Sequence, residues 1–150
     1  MPIKRQEFLK PFSREHHHNL LLCWKIRAGI SKGIDFERIK KYTDWFFETH
    51  ILPHFKLEEK YIFPILGKEH ELVKKALSEH RRLKRLFTDD QNVEKSLSLI
   101  EEELVSHVRF EERVLFREIQ KYCSAEEMES IESLHLGGKF VENTDDEFWM

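Results

Sequence analysis

The chain has 150 residues, 40% of them hydrophobic and 35% charged, with only five Gly and four Pro. That is long enough for a real core and too poor in turn residues for a sandwich of many short strands, so an all-helical fold is expected. The net charge of −3 comes from 25 basic and 28 acidic residues that are interleaved rather than clustered, which excludes a nucleic-acid footprint.

No run approaches the length of a membrane span, and the first twelve residues lack the apolar stretch of a signal peptide, so the expected compartment is the cytoplasm. Cys23 and Cys123 do not make a disulfide scaffold and read as small buried hydrophobes. The spacing predicts a first helix capped by Ser13 and running to about Ile30, where Ser31-Lys32-Gly33 stops it. A second, capped by Asp35, runs from Phe36 to about Leu66, with Pro53 inside it to kink it and Gly67 to end it. A third spans about Lys68 to Phe87 and a fourth about Asn92 to Tyr122. Ser124 and Glu127 form a capping box for a short fifth helix, ended by Gly137-Gly138. The acidic tail offers Phe148 and Trp149 for docking. Short connections favour antiparallel neighbours. The expected fold is therefore all-α, an up-down-up-down four-helix bundle with a short C-terminal fifth helix. It forms one domain over 1–150, with the bundle in about 13–122 and the short helix and tail in 123–150.

One pattern occurs twice. His54 is followed four residues later by Glu58, and His107 by Glu111; each acid is followed by a second (Glu59, Glu112) and then by a Phe (Phe63, Phe116). A helix puts residues i and i+4 on one face, so each unit presents an imidazole beside a carboxylate. The apolar stripes carry both units inward: Phe47, Ile51, His54, Glu58, Ile62 and Ile65 on the second helix, and Leu97, Ile100, Leu104, His107, Glu111 and Val114 on the fourth. The third helix aligns Val73, Leu77, His80, Leu83 and Phe87. His16, His17 and His18 cannot all point inward. His17 has the best apolar followers, in Leu20, Leu21 and Trp24, and is the favoured ligand. Two buried carboxylates facing each other are costly unless cations neutralise them. Four imidazoles and two carboxylates without thiolates suit iron, manganese or zinc, and six ligands fit two ions better than one. The expected metal ligands are His17, His54, Glu58, His80, His107 and Glu111, with both acids bridging. His50, one turn before His54, is an extra ligand, a supporting group or part of an entrance.

These residues resemble the hemerythrin-like family of HHE cation-binding domains: His17 in REHHHNLLLCW, His54 and Glu58 in HFKLEEKYIFP, His80 in SEHRRLKRLF, and His107 with Glu111 in HVRFEERVLFR. The resemblance implies two iron ions with an oxo or hydroxo bridge in a four-helix bundle. Zinc or manganese are the other metals the ligand types admit. Oxygen-carrying members place a further histidine one turn from the third-helix ligand, where this chain has Ala76 and Lys84, and their fourth-helix acid follows its histidine by five residues rather than four. The function implied is binding or sensing of a small gas, dioxygen or nitric oxide. The alternatives are a redox enzyme in oxidative or nitrosative stress defence or iron-centre repair, and an iron store or carrier.

Overall fold

The structure, a computed structural model, describes residues 5–150; the first four residues, on which part of the signal-peptide reading falls, lie outside the described residues. Every regular element in it is helical. A short turn at Glu7–Leu9 leads into α1, Lys10–Ser31. The predicted start at Ser13 is therefore one turn late. Pro11 sits in the first turn, where its missing N–H costs nothing, and Ser13 turns its hydroxyl to Glu112 instead of capping.

The second long helix is built from α2, Phe36–Phe46, and α3, Leu52–Leu57, with widened turns at Phe47–Ile51 and Glu58–Ile62 and a tight turn at Phe63–Ile65. In both widened turns an amide donates to the carbonyl five residues back, Leu52 to Phe47 and Phe63 to Glu58. The first of these lies just before Pro53. The third helix, α4, spans Glu71–Thr88, and the His70 ring, not Lys68, marks its start by accepting from the Leu72 amide. α5, Val93–Phe110, continues through a third widened turn, Glu111–Leu115, into α6, Phe116–Tyr122. α7, Ala125–Glu132, opens on the Ser124–Glu127 capping box.

Contacts between neighbouring long helices run in opposite sequence directions. Lys25 meets Tyr42 where Glu15 meets His54; Phe47 stacks on Phe87 where Glu59 meets His80; Arg82 meets Glu103 where Glu79 meets His107; Arg27 meets Glu101 where Ser13 meets Glu112. Two apolar clusters fill the interior. One holds Leu22, Ile26, Ile51, Phe55, Leu83 and Leu104, the other Phe12, Ile62, Phe63, Ala76, Leu115 and Phe116. On all four helices the buried His and Glu positions fall between these clusters, so a polar layer interrupts the core. Burying each large apolar side chain stabilises the fold by about 1.5–3 kcal/mol, which offsets the cost of that layer.

After α7 the chain runs back as an extended strap. Phe148 and Trp149 are buried, and Lys25, itself buried, holds the strap through Glu142 and the face of Trp149. Both cysteines are free and buried, and burial pushes the Cys23 thiol up to about 12.

Candidate metal centre

The layer brings together His16, His54, Glu58, His80, His107 and Glu111, all at 2% exposure or less. Their donor atoms form two groups, His16, His54, Glu58 and Glu111 in one and His80, His107, Glu58 and Glu111 in the other. Both carboxylates belong to both groups. The inward Nε2 atoms lie at short, near-equal range: His16 to Glu111 at 2.9 Å, His54 to Glu58 at 3.2 Å, His80 to Glu58 at 3.3 Å and His107 to Glu111 at 3.3 Å. Ligands about 2.1 Å from a common ion sit about 3 Å apart when adjacent, so the spacing suits shared coordination.

His17 is not in this layer. It is exposed, and His16 occupies the place assigned to it by the sequence reading. The error is one of helical phase. Leu20 to Trp24 are apolar in an unbroken run and so mark no direction. The inward stripe is Phe12, His16, Asn19, Cys23 and Ile26, and Asn19 breaks its apolar pattern, while Leu20, Leu21 and Trp24 face solvent. A similar slip affects Val114, which is exposed: the widened turn at Glu111–Leu115 rotates the helix so that Leu115 and Phe116 enter the core.

Each ring is held from behind by a second carboxylate. His16 Nδ1 meets Glu112 at 2.7 Å, His80 Nδ1 meets Glu59 at 2.7 Å, His107 Nδ1 meets Glu79 at 2.7 Å, and His54 Nδ1 meets Glu15. The supports form a closed cycle. The first helix supports the histidine of the second, the second that of the third, the third that of the fourth, and the fourth that of the first. A carboxylate behind a ring nitrogen fixes the tautomer and turns the other nitrogen's lone pair inward. From the sequence, Glu59 and Glu112 read as either solvated or hydrogen-bonding, and the structure shows the latter; Glu15 and Glu79 were missed. Their signal was the Glu-His dipeptide at 15–16 and again at 79–80.

Aromatic rings complete the walls. Phe55 stacks on His80 at 3.7 Å and Phe116 on His16 at 5.4 Å. Without cations, the layer is electrostatically tense. Burial opposes a charged His16, yet hydrogen bonds to Glu111 and Glu112 and the nearby Glu58 carboxylate outweigh it and hold the ring well above its ordinary value. His54 rises to about 9 against burial, through Glu58 and Glu15. Burial, and Glu111 beside it, oppose ionisation of Glu58, but His54 and His16 overcome both and keep it low. Even so, both oxygens of Glu58, Oε2 of Glu111 and the Nε2 atoms of His80 and His107 are buried without a hydrogen-bond partner among the described residues. Native interiors leave only a few such atoms scattered through a domain, so five in one place call for a ligand. These residues fit a bound metal.

The hemerythrin HHE cation-binding domain matches residues 8–119. The chain belongs to the hemerythrin family. Comparison with curated proteins and with solved structures finds no match. The family domain binds metal cations, and the His and Glu groups of this hemerythrin-like chain are arranged to hold them. No helix among the described residues is long and apolar enough to cross a membrane.

Proposed function

We propose that the chain is a single hemerythrin-like domain, an up-down-up-down four-helix bundle that holds two metal ions, natively iron, and binds or senses dioxygen or nitric oxide. The observation that carries this reading is the set of five unpartnered donor atoms converging between two apolar clusters. His16 and His54 serve one ion, His80 and His107 the other, and Glu58 and Glu111 reach both groups. When bound, such a pair supplies Lewis acidity and one-electron redox chemistry toward a small ligand. The protein's own part is to hold the Nδ1 proton and aim Nε2 inward, through Glu15, Glu59, Glu79 and Glu112, and to exclude bulk water with Phe55, Phe63 and Phe116. Ala76, fully buried one turn before His80, adds no donor where a carrier of oxygen would have one. Fewer protein donors than coordination positions supports an exchangeable site for a diatomic ligand.

The test is optical. Anaerobically iron-loaded protein is titrated with nitric oxide and, separately, with dioxygen. New absorption bands with nitric oxide, and rapid loss of the reduced form with dioxygen, are expected. A spectrum indifferent to both gases would reject gas binding and favour a store or carrier.

A further inference from the structure

We propose that the cavity between Glu15, His18, Asn19, His50 and Phe140 is the gate through which divalent metal ions reach the buried centre. This rests on the metal-binding reading above. The ligands themselves offer no path, since Glu58 and Glu111 are wholly buried and the four rings nearly so. The supporting carboxylates touch both the rings and the outside, with side-chain exposures of 35% for Glu15, 33% for Glu59, 26% for Glu79 and 27% for Glu112.

Three of these four already face cations. Glu112 is bound by Arg5 and Ser13, Glu79 by Lys75, and Glu59 feels the charge of Lys84. Among the described residues no lysine or arginine forms an ion pair with Glu15. Instead it lines a cavity of about 180 Å³ with His18, Asn19 and His50. Two imidazoles, a carboxylate and an amide oxygen are donors suited to a divalent transition-metal ion. At about 30 Å³ per water, the volume admits about six waters, the size of a hydrated dication. Nε2 of His50, which lines this cavity, is buried without a hydrogen-bond partner among the described residues.

The cover is a single ring. Phe140 stacks on His18 at 4.2 Å and packs on His50 at 4.7 Å. It is carried by the strap just after Gly137 and Gly138, and the exposed Lys139 also lines the cavity. The cavity behind Glu79 is about 90 Å³ and is lined by Arg82, which is paired to Glu103. That cavity is half the size and offers no imidazole, and its Glu79 is already paired with Lys75, so the Glu15 side is the better route.

The experiment follows cobalt(II) uptake by the metal-free protein in stopped flow, and its release to a chelator. Phe140→Ala removes the cover and should accelerate both about tenfold, equivalent to about 1.4 kcal/mol of ring packing. The final metal content should not change. His50→Phe keeps an aromatic ring under the strap but removes the donor, and should slow uptake. Ser106→Leu, in the cavity behind Glu79, should leave both rates as they are. Unchanged rates in Phe140→Ala and His50→Phe, or slowing by Ser106→Leu, would overturn the gate while leaving the centre intact. If the unmodified protein binds no cobalt, the reading of the centre itself fails.

Discussion

At the scale of residues, the two His-x-x-x-Glu units were legible because their spacing matches one helical turn and an inward acid has few structural explanations. His80 was legible because Val73, Leu83 and Phe87 fix its phase. The inward histidine of the first helix was not, because a five-residue apolar run points everywhere. His16→Ala should therefore abolish most metal binding, whereas His17→Ala should leave it intact; metal analysis of the two purified variants distinguishes them. Equal losses would mean that the helix is phased otherwise. The supporting carboxylates make a separate prediction. Glu79→Gln keeps the hydrogen bond to His107 but removes its charge, and should weaken metal affinity by about 10–100-fold, measured by competition with a chelator. Full affinity in that variant would show Glu79 to be a bystander.

At the scale of elements, the sequence marked the helices well and their irregularities poorly. Pro53 announces a disturbance, and a widened turn does precede it. Pro64 stands in the same place after the turn that begins at Glu58. Nothing comparable announces the turn that begins at Glu111, which brings Phe116 against the ring of His16 as the earlier one brings Phe63 against His80. Such turns are common at functional sites. The strap was legible only as two apolar residues in an acidic tail. Its seat depends on Gly29 of α1, where an added Cβ would lie 2.7 Å from the Phe148 ring and 2.8 Å from Ile39. Both neighbours are buried and have little room to yield. Gly29→Ala should thus destabilise the protein by about 1–3 kcal/mol through overpacking, despite the better helix propensity of alanine. Denaturant titration, with tryptophan fluorescence to report release of Trp149, checks this. A stabilised variant would mean that the strap yields freely.

At the scale of the whole molecule, charge in the polar layer links stability, pH and metal. In the metal-free protein the folded His54 titrates near 9 rather than 6.5. A raised folded value stabilises fully below 6.5, and that contribution is lost as pH rises toward 9. A metal ion needs the same ring neutral, so its affinity grows over that interval. The melting temperature of metal-free protein should fall from pH 6.5 to 9 while the gain on adding metal widens. A gain independent of pH would show that no proton is displaced.

The central claim is that one layer of four histidines and two glutamates holds two ions. Its most direct test is metal quantitation after anaerobic reconstitution with excess ferrous ion and removal of the unbound fraction. The account predicts two ions per chain, falling together with Glu58→Gln plus Glu111→Gln. A content at or below one per chain in the unmodified protein would contradict it.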